Sequence, residues 1–217
     1  MLDQGVYTLA EASKYTGINP VRLRNWFRER SDEAGRGPIF KSDYAMVGDD
    51  FAISFLNMIE SYVVSQFRVN KMVKPSHIRK VHRLLQDKMG TAHPFAHADL
   101  RVASPRIVEN DGDATLSDVL SGQIFLDHVR PFVKPILYGI TTKMAESWDV
   151  HAGVTINPKI GFGKPTVAKT GVSTLIIARQ FVANGMDAAL VARLYRITAE
   201  GVQSAYDYEV GLGRIAA

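Results

Sequence analysis

Between Thr8 and Arg30 the chain has little freedom in what it can fold into. The stretch reads Thr-Leu-Ala-Glu-Ala-Ser-Lys-Tyr-Thr-Gly-Ile-Asn-Pro-Val-Arg-Leu-Arg-Asn-Trp-Phe-Arg-Glu-Arg. Thr8 with Glu11 three residues on is a capping box, which starts a helix over about Leu9–Tyr15. Gly17 supplies a turn. Asn19-Pro20 then restarts the chain as helix, a polar cap followed by proline at the first position, and this second helix is expected to run to about Arg30. Leu9, Ala12, Ile18, Leu23 and Phe27 are spaced to pack the two helices together, and the small Ala12 allows close approach. The pattern is a helix-turn-helix. On the second helix, Leu23, Trp26 and Phe27 cluster on one side, with Arg24, Asn25 and Arg28 roughly opposite. Arg and Asn read guanine and adenine edges bidentately, and an exposed helix face is what enters a major groove. Arg24, Asn25 and Arg28 are therefore the candidate base contacts. Arg22, Lys14 and Lys41 are further candidate DNA contacts, the first two to phosphate. The competing reading is a solvated face on a protein-interaction domain. Turn spacing, the place of Trp26 and the basic face together favour DNA.

This stretch resembles the MerR-like winged helix-turn-helix, whose Thr-Leu-Arg-Tyr-Trp run stands here as Arg22-Leu23-Arg24-Asn25-Trp26. The resemblance extends through a third helix, capped by Ser54 with an apolar stripe of Phe55, Ile59, Tyr62, Val63 and Phe67. It takes in a fourth that opens at Lys74-Pro75-Ser76-His77-Ile78-Arg79, buries Ile78, Val81, Leu84, Leu85 and Met89, and stops at Gly90. The wing departs from the family. Its Tyr-Arg-x-Tyr is replaced by Phe40-Lys41-Ser42-Asp43-Tyr44, between β-prone pieces at Ile39-Phe40 and Phe51-Ile53.

After Gly90 the character changes. Residues 1–90 hold 14 Lys/Arg against 10 Asp/Glu, residues 91–150 hold 5 against 8, and residues 151–217 hold 7 against 4. A basic head, an acidic middle and a basic end imply separate tasks. The middle carries an Asn110-Asp111-Gly112 turn signal and β-prone pieces at Leu100-Ala103, Arg106-Glu109 and Gln123-Leu126, so a hairpin or small sheet is expected. A short helix interrupted by prolines is expected over Asp127–Leu137, and a linker over Gly139–Val150. Residues 151–217 form a second unit. Strands at Val154-Ile156 and Thr166-Val167 flank a Gly161-Phe162-Gly163 turn, followed by helices at Thr174–Asn184, Ala188–Tyr195 and Ala199–Glu209. The expected fold is mainly α with small β elements. Its domains are 1–90 (winged helix-turn-helix), 91–150 (β-containing middle and linker) and 151–217 (strands plus three helices).

The C-terminal unit resembles a small antitoxin-like domain family. The shared residues are Ile156-Asn157-Pro158, Gly163-Lys164-Pro165, Gly171-Val172-Ser173, Gly185, Tyr195 and Thr198-Ala199-Glu200. With Ser54-Phe55-Leu56-Asn57 and His93-Pro94-Phe95-Ala96 in between, the whole chain resembles the long VapB-type antitoxins. That resemblance implies a protein that neutralises a PIN-domain ribonuclease toxin and represses its own operon. A homodimer on operator DNA is expected, because one helix-turn-helix reads only a few base pairs and a symmetric operator needs two. The alternative is an adaptor, or a stand-alone regulator, without a toxin. The last helix carries Glu200, Asp207 and Glu209 and no cation before Arg214, which suits a protein interface better than a groove lined with phosphate. A PIN-type site concentrates carboxylates around Mg²⁺. A cation entering it would block it, so Arg214 on a mobile tail, with Leu212 and Ile215 as apolar anchors, is the candidate toxin contact. Lys164 and Lys169 are the alternatives.

Other chemistries fit poorly. Gly161-Phe162-Gly163-Lys164-Pro165-Thr166 lacks the length of a phosphate loop, and proline follows its lysine. His93, His97 and Asp99 have zinc-like spacing, but Pro94 disfavours the helix that would align them; His93-Pro94-Phe95 reads instead as a turn anchor with Phe95 in the core. His77 and His82 read as solvated or phosphate-facing. No Gly-x-Ser-x-Gly elbow occurs. The expectation is no enzyme, no metal and no cofactor. There is no cysteine among the 217 residues, so disulfides and thiolate sites are excluded. A net charge of +4 with a pI near 9.3 permits nucleic-acid binding. Met1–Tyr7 shows no leader pattern and no apolar run nears the roughly 20 residues of a membrane span, so a cytoplasmic protein without membrane contact is expected.

Overall fold

The structure, a computed structural model, describes residues 5–28, 37–45, 52–69, 75–101 and 135–216. The β-prone pieces at 106–109 and 123–126, the Asn110-Gly112 turn, most of the 127–137 helix and all but the start of the 100–103 piece lie outside those residues. The described chain is mainly α-helical with two small sheets, and among the described residues no helix is long and apolar enough to cross a membrane. It divides into two compact units. One comprises residues 7–134 and 138–145, the other residues 1–6, 135–137 and 146–217.

In the first unit, β1 (Tyr7–Thr8) leads directly into α1 (Leu9–Thr16). The expected capping box is present: the Glu11 N–H donates to Thr8 Oγ1 at 3.2 Å, and the Thr8 N–H donates to Glu11 Oε2 at 3.1 Å. Gly17 ends α1 at φ 70°, a left-handed conformation that costs a residue with a Cβ. α2 (Pro20–Phe27) opens as expected, with Asn19 Oδ1 accepting from the Val21 and Arg22 N–H groups. It ends three residues earlier than the sequence suggests. The Trp26 carbonyl, which a longer helix would offer to residue 30, accepts instead from the Ile39 and Phe40 N–H groups at 2.8 and 3.0 Å. That same capture makes Ile39-Phe40 a buried bend rather than a strand. The partner of β2 (Ala52–Ile53) is β1, antiparallel, with Tyr7 opposite Ile53.

α3 (Phe55–Val69) is capped by Ser54, whose Oγ accepts from the Asn57 N–H at 3.1 Å. Its inner face is Phe55, Met58, Ile59, Val63 and Val64; the side chain of Phe67 lies outside the described residues. α4 (Pro75–Met89) buries Ile78, Val81 and Leu85, and Gly90 follows it at φ 62°. Leu84, expected inside, is 44% exposed: it lies one position off the stripe on which Ile78, Val81 and Leu85 recur. A 3-10 turn, Pro94–Ala96, buries Phe95 as expected, and packs on α3 and α4.

The second half of Gly139–Val150, expected as a linker, is strand. β3 (Ile136–Tyr138) and β4 (Ala145–His151) are neighbours in a sheet ordered β3-β4-β5-β6. Ala145, Ser147 and Trp148 of β4 are buried. In the second unit, β4 pairs antiparallel with β5 (Val154–Ile156), which pairs antiparallel with β6 (Thr166–Val167). Three helices follow close to their expected bounds: α5 (Thr174–Ala183), α6 (Ala188–Tyr195, capped by Asp187) and α7 (Ala199–Gly211, capped by Thr198). Val167, Ile177, Phe181, Val191, Val202 and Ala205 form their common core.

Candidate nucleic-acid interface

The inner side of the α1–α2 pair is closed. Leu9, Ala12, Tyr15, Ile18, Leu23, Trp26 and Phe27 are all buried. At about 100° per residue, Leu23, Trp26 and Phe27 occupy one arc of α2 and Val21, Asn25 and Arg28 the opposite one. All three of these are exposed, Val21 at 65%. Arg22 is exposed on one flank. Arg24, expected on the outer face, is half-buried on the other flank, about 60° from Phe27 and about 40° from Arg28. Arg28 is the C-cap of α2, with extended backbone, and its N–H donates to the Arg24 carbonyl at 2.9 Å. Lys14 is exposed in the last turn of α1, and Lys41 is exposed on the segment 37–45. Val21 escaped the sequence reading, which sought only polar side chains; helical spacing alone would have found it.

What holds α2 in place is a polar network centred on the buried Glu60. Trp26 and Phe27 rest on Phe40, at centroid distances of 6.3 and 5.5 Å. Phe40 meets the His82 ring edge-on at 5.3 Å, and Phe95 lies against the same ring at 5.4 Å. His82 Nε2 lies 3.0 Å from Glu60 Oε1, a carboxylate only 1% exposed. The other Glu60 oxygen lies 3.1 Å from His93 Nδ1, and His93 Nε2 lies 3.1 Å from Asp43 Oδ1. The Phe95 N–H also donates to Glu60, and the Ser54 hydroxyl donates to Asp43. Asn57 completes the attachment: it accepts from the Asp43 N–H and donates to the Lys41 carbonyl, both at 3.1 Å. Residues 41–43 are thereby bonded to the first turn of α3. Among the described residues, 37–45 form no strand.

The electrostatics of this network follow from its hydrogen bonds. Burial opposes ionisation of Glu60, but hydrogen bonds from His82 and His93, and their charge, hold its carboxyl below the usual range. Burial also opposes ionisation of Asp43, and hydrogen bonds from His93 and Ser54 outweigh it. For His93, burial favours the neutral ring, yet both ring nitrogens face carboxylates, and its pKa is pushed up to about 9. His93 is thus an imidazolium donating from both nitrogens. His82, expected in solvent, is buried: the acidic partner that draws it in is 22 residues earlier in the chain. The side chain of His77 lies outside the described residues. Among those residues, no group of three or more His, Cys, Asp or Glu could hold a metal ion.

The C-terminal candidates are differently placed. Lys164 is half-buried just after the Gly161–Gly163 turn, and Lys169 is exposed in the turn between β6 and α5. Arg214, expected on a mobile tail, has an internal partner. Its Nε lies 2.7 Å from Glu209 Oε2 and its Nη2 donates to Glu209 Oε1 at 2.9 Å. Glu209 is fully buried and also accepts from the Thr174 hydroxyl. The Arg214 N–H donates to the Glu209 carbonyl, with Gly213 at φ 66° making the turn. Leu212 and Ile215 are half-buried. Acidic Glu209, which suggested an outward interface, is an inward counter-ion that stitches α7 to α5.

Comparison with known proteins adds to this. Residues 154–208 match the family DUF433, described as a protein of unknown function. The chain is 26% identical over 227 aligned positions to a Mycobacterium tuberculosis (strain H37Rv) protein described as "Putative antitoxin VapB45", covering 94% of each. It also superposes on the X-ray crystal structure of Rv2018 from Mycobacterium tuberculosis with a TM-score of 0.72, at 24% identity, over 93% of this chain and 96% of that one. That likeness is one of fold.

Proposed function

We propose that this chain is a type II antitoxin of the VapBC kind: it neutralises a PIN-domain ribonuclease and represses its own operon. The observation that carries the antitoxin half is the similarity, over 94% of each chain, to a protein described as an antitoxin. The repressor half rests on the exposed face of α2. Asn25 offers the two-pronged amide suited to adenine, and Arg28 the fork suited to guanine. Val21 offers an apolar surface of the kind a thymine methyl takes. The scaffold beneath is a MerR-like winged helix-turn-helix in which residues 37–45 take the wing's place and present Lys41. Lys14 and Arg22 flank the face as phosphate contacts, and Arg24 supports it from the side. The protein acts in the cytoplasm as a homodimer, because one short helix reads only a few base pairs and a symmetric operator needs two. Residues 151–217 provide the surface for association. A relative described as an antitoxin speaks against an enzyme, and catalysis is not part of this reading.

Two assays test it. The purified full chain should shift a duplex taken from immediately upstream of its own gene and leave a shuffled duplex unshifted. It should also silence the ribonuclease activity of the protein encoded in the adjacent reading frame. A shift without silencing makes the chain a stand-alone regulator; silencing without a shift removes the autorepressor.

A further inference from the structure

Between Asp149 and Asp187 the sequence holds four cations, Lys159, Lys164, Lys169 and Arg179, and no carboxylate. In this stretch the chain makes a tight turn at Gly161–Gly163. Three consecutive residues there are left-handed, with φ 57°, 55° and 75°. Two are glycines, and at Gly161 an added Cβ would stand 2.9 Å from Thr166 Cγ2. The third is Phe162. A bulky side chain at positive φ is strained, because its Cβ crowds the following carbonyl. The turn is nonetheless closed by three hydrogen bonds: Ile160 N–H to the Asn157 carbonyl, Gly163 N–H to that of Ile160, and Lys164 N–H to that of Gly161, each at 3.0 Å. The Phe162 ring contributes nothing to the core of its unit: it is 78% exposed, beside an Ile160 that is 44% exposed.

A glycine or asparagine at position 162 would serve folding better on both counts, relieving the backbone and removing a large apolar surface from water. Strain and exposed aromatic surface at one residue mark a position shaped by something other than folding. We infer that this turn is where the chain docks on its toxin, with Phe162 and Ile160 entering an apolar cleft whose rim carries carboxylates. Lys164 and Lys169 supply the opposite charge; Lys159 lies 3.8 Å from Glu146 of its own chain. The assignment rests on the antitoxin reading above. A protein fits better than a nucleic acid because Ile160 has no flat face on which a base can stack. A preset turn also loses little freedom on binding, and buried aromatic anchors carry most of the energy of such interfaces.

The test titrates the full chain against the protein encoded in the adjacent reading frame. Phe162→Gly and Phe162→Asn should each weaken binding by about 30-fold or more, with a thermal midpoint equal to or above that of the wild type. Reversing charge with Lys164→Glu and Lys169→Glu should weaken it about 10-fold or more and reduce its salt dependence. Wild-type affinity in both Phe162 variants overturns the docking site while leaving the antitoxin reading intact. No binding by the wild type overturns both. Loss of a labelled single-stranded DNA complex in the Phe162 variants, with the protein complex unchanged, assigns the turn to nucleic acid and overturns the proposal.

Discussion

Arg28 and Asn25 lie on the outward arc of α2 while Arg24 lies at its edge, so three residues that look equivalent in sequence should differ in effect. Asn25→Ala and Arg28→Ala are each expected to cost about 1–3 kcal/mol of operator affinity, and Arg24→Ala less, as read by gel shift at fixed salt. Lys14→Ala and Lys41→Ala are expected instead to lower the slope of log affinity against log salt by about one each. An unchanged slope would remove them from the phosphate contacts. His93 carries a second prediction. Its folded pKa of about 9 stands above its ordinary 6.5, so its contribution to stability is complete below about pH 6.5 and is lost as the pH rises through 9. Asp43 and Glu60 are held low, so their contribution is present above the ordinary 3.8 and 4.5 and is lost on acidification. The fall on the alkaline side should be on the order of 3 kcal/mol. Thermal melts at pH 6 and pH 9.5 measure it, and His93→Gln should flatten it. An equal alkaline loss in that variant would take His93 out of the account.

At the scale of elements, the two halves are held by different devices. α1 and α2 depend on local chemistry: the Thr8–Glu11 box, Gly17 at φ 70° and the Asn19 cap. Thr8→Ala should cost about 1 kcal/mol in urea denaturation, and Gly17→Ala about as much, since the space around Gly17 is open and only the backbone objects. The end of α7 depends on Glu209, Thr174 and Arg214. Arg214→Ala leaves a carboxylate buried without its counter-ion and should destabilise the chain by about 3 kcal/mol or more. This bears on the tail as an inhibitor. To enter a partner's acidic site, Arg214 would first have to leave Glu209. If Arg214→Ala destabilises the chain strongly yet still neutralises toxin at equal stoichiometry below its melting temperature, Arg214 is a structural staple. Loss of neutralisation with little loss of stability would reverse that assignment.

At the scale of the molecule, the proposed homodimer makes a geometric prediction. Footprints of the full chain on its upstream DNA should show an inverted repeat with half-sites about 10 base pairs apart, or a multiple of that. Sedimentation equilibrium should report a dimer at the concentrations that give the footprint. A monomer protecting a single half-site would contradict it. The two compact units described for this chain fit a division of labour in which one reads DNA and the other meets protein. That division is part of the proposal, and a full-length Phe162→Gly variant that keeps its operator affinity while losing toxin would bear it out.

The sequence by itself determined the local devices. Caps, turn glycines and helical periodicity act over three or four residues, so α1, the start of α2, α3, α4, α5, α6 and α7 were all legible, as were the strands β5 and β6. Tertiary structure decided whatever depends on partners distant in the chain. α2 stops at Phe27 because residues 39 and 40 take the Trp26 carbonyl. β1 exists because β2 lies opposite it. His82, His93 and Asp43 are one network only because the fold gathers them around Glu60, and part of a run that reads as linker becomes strand once neighbours exist to pair with it. Phe162 combines both kinds of information. The sequence shows an aromatic between two glycines; only the fold shows that its backbone is left-handed and its ring in water, because both depend on how β5, β6 and the turn between them pack.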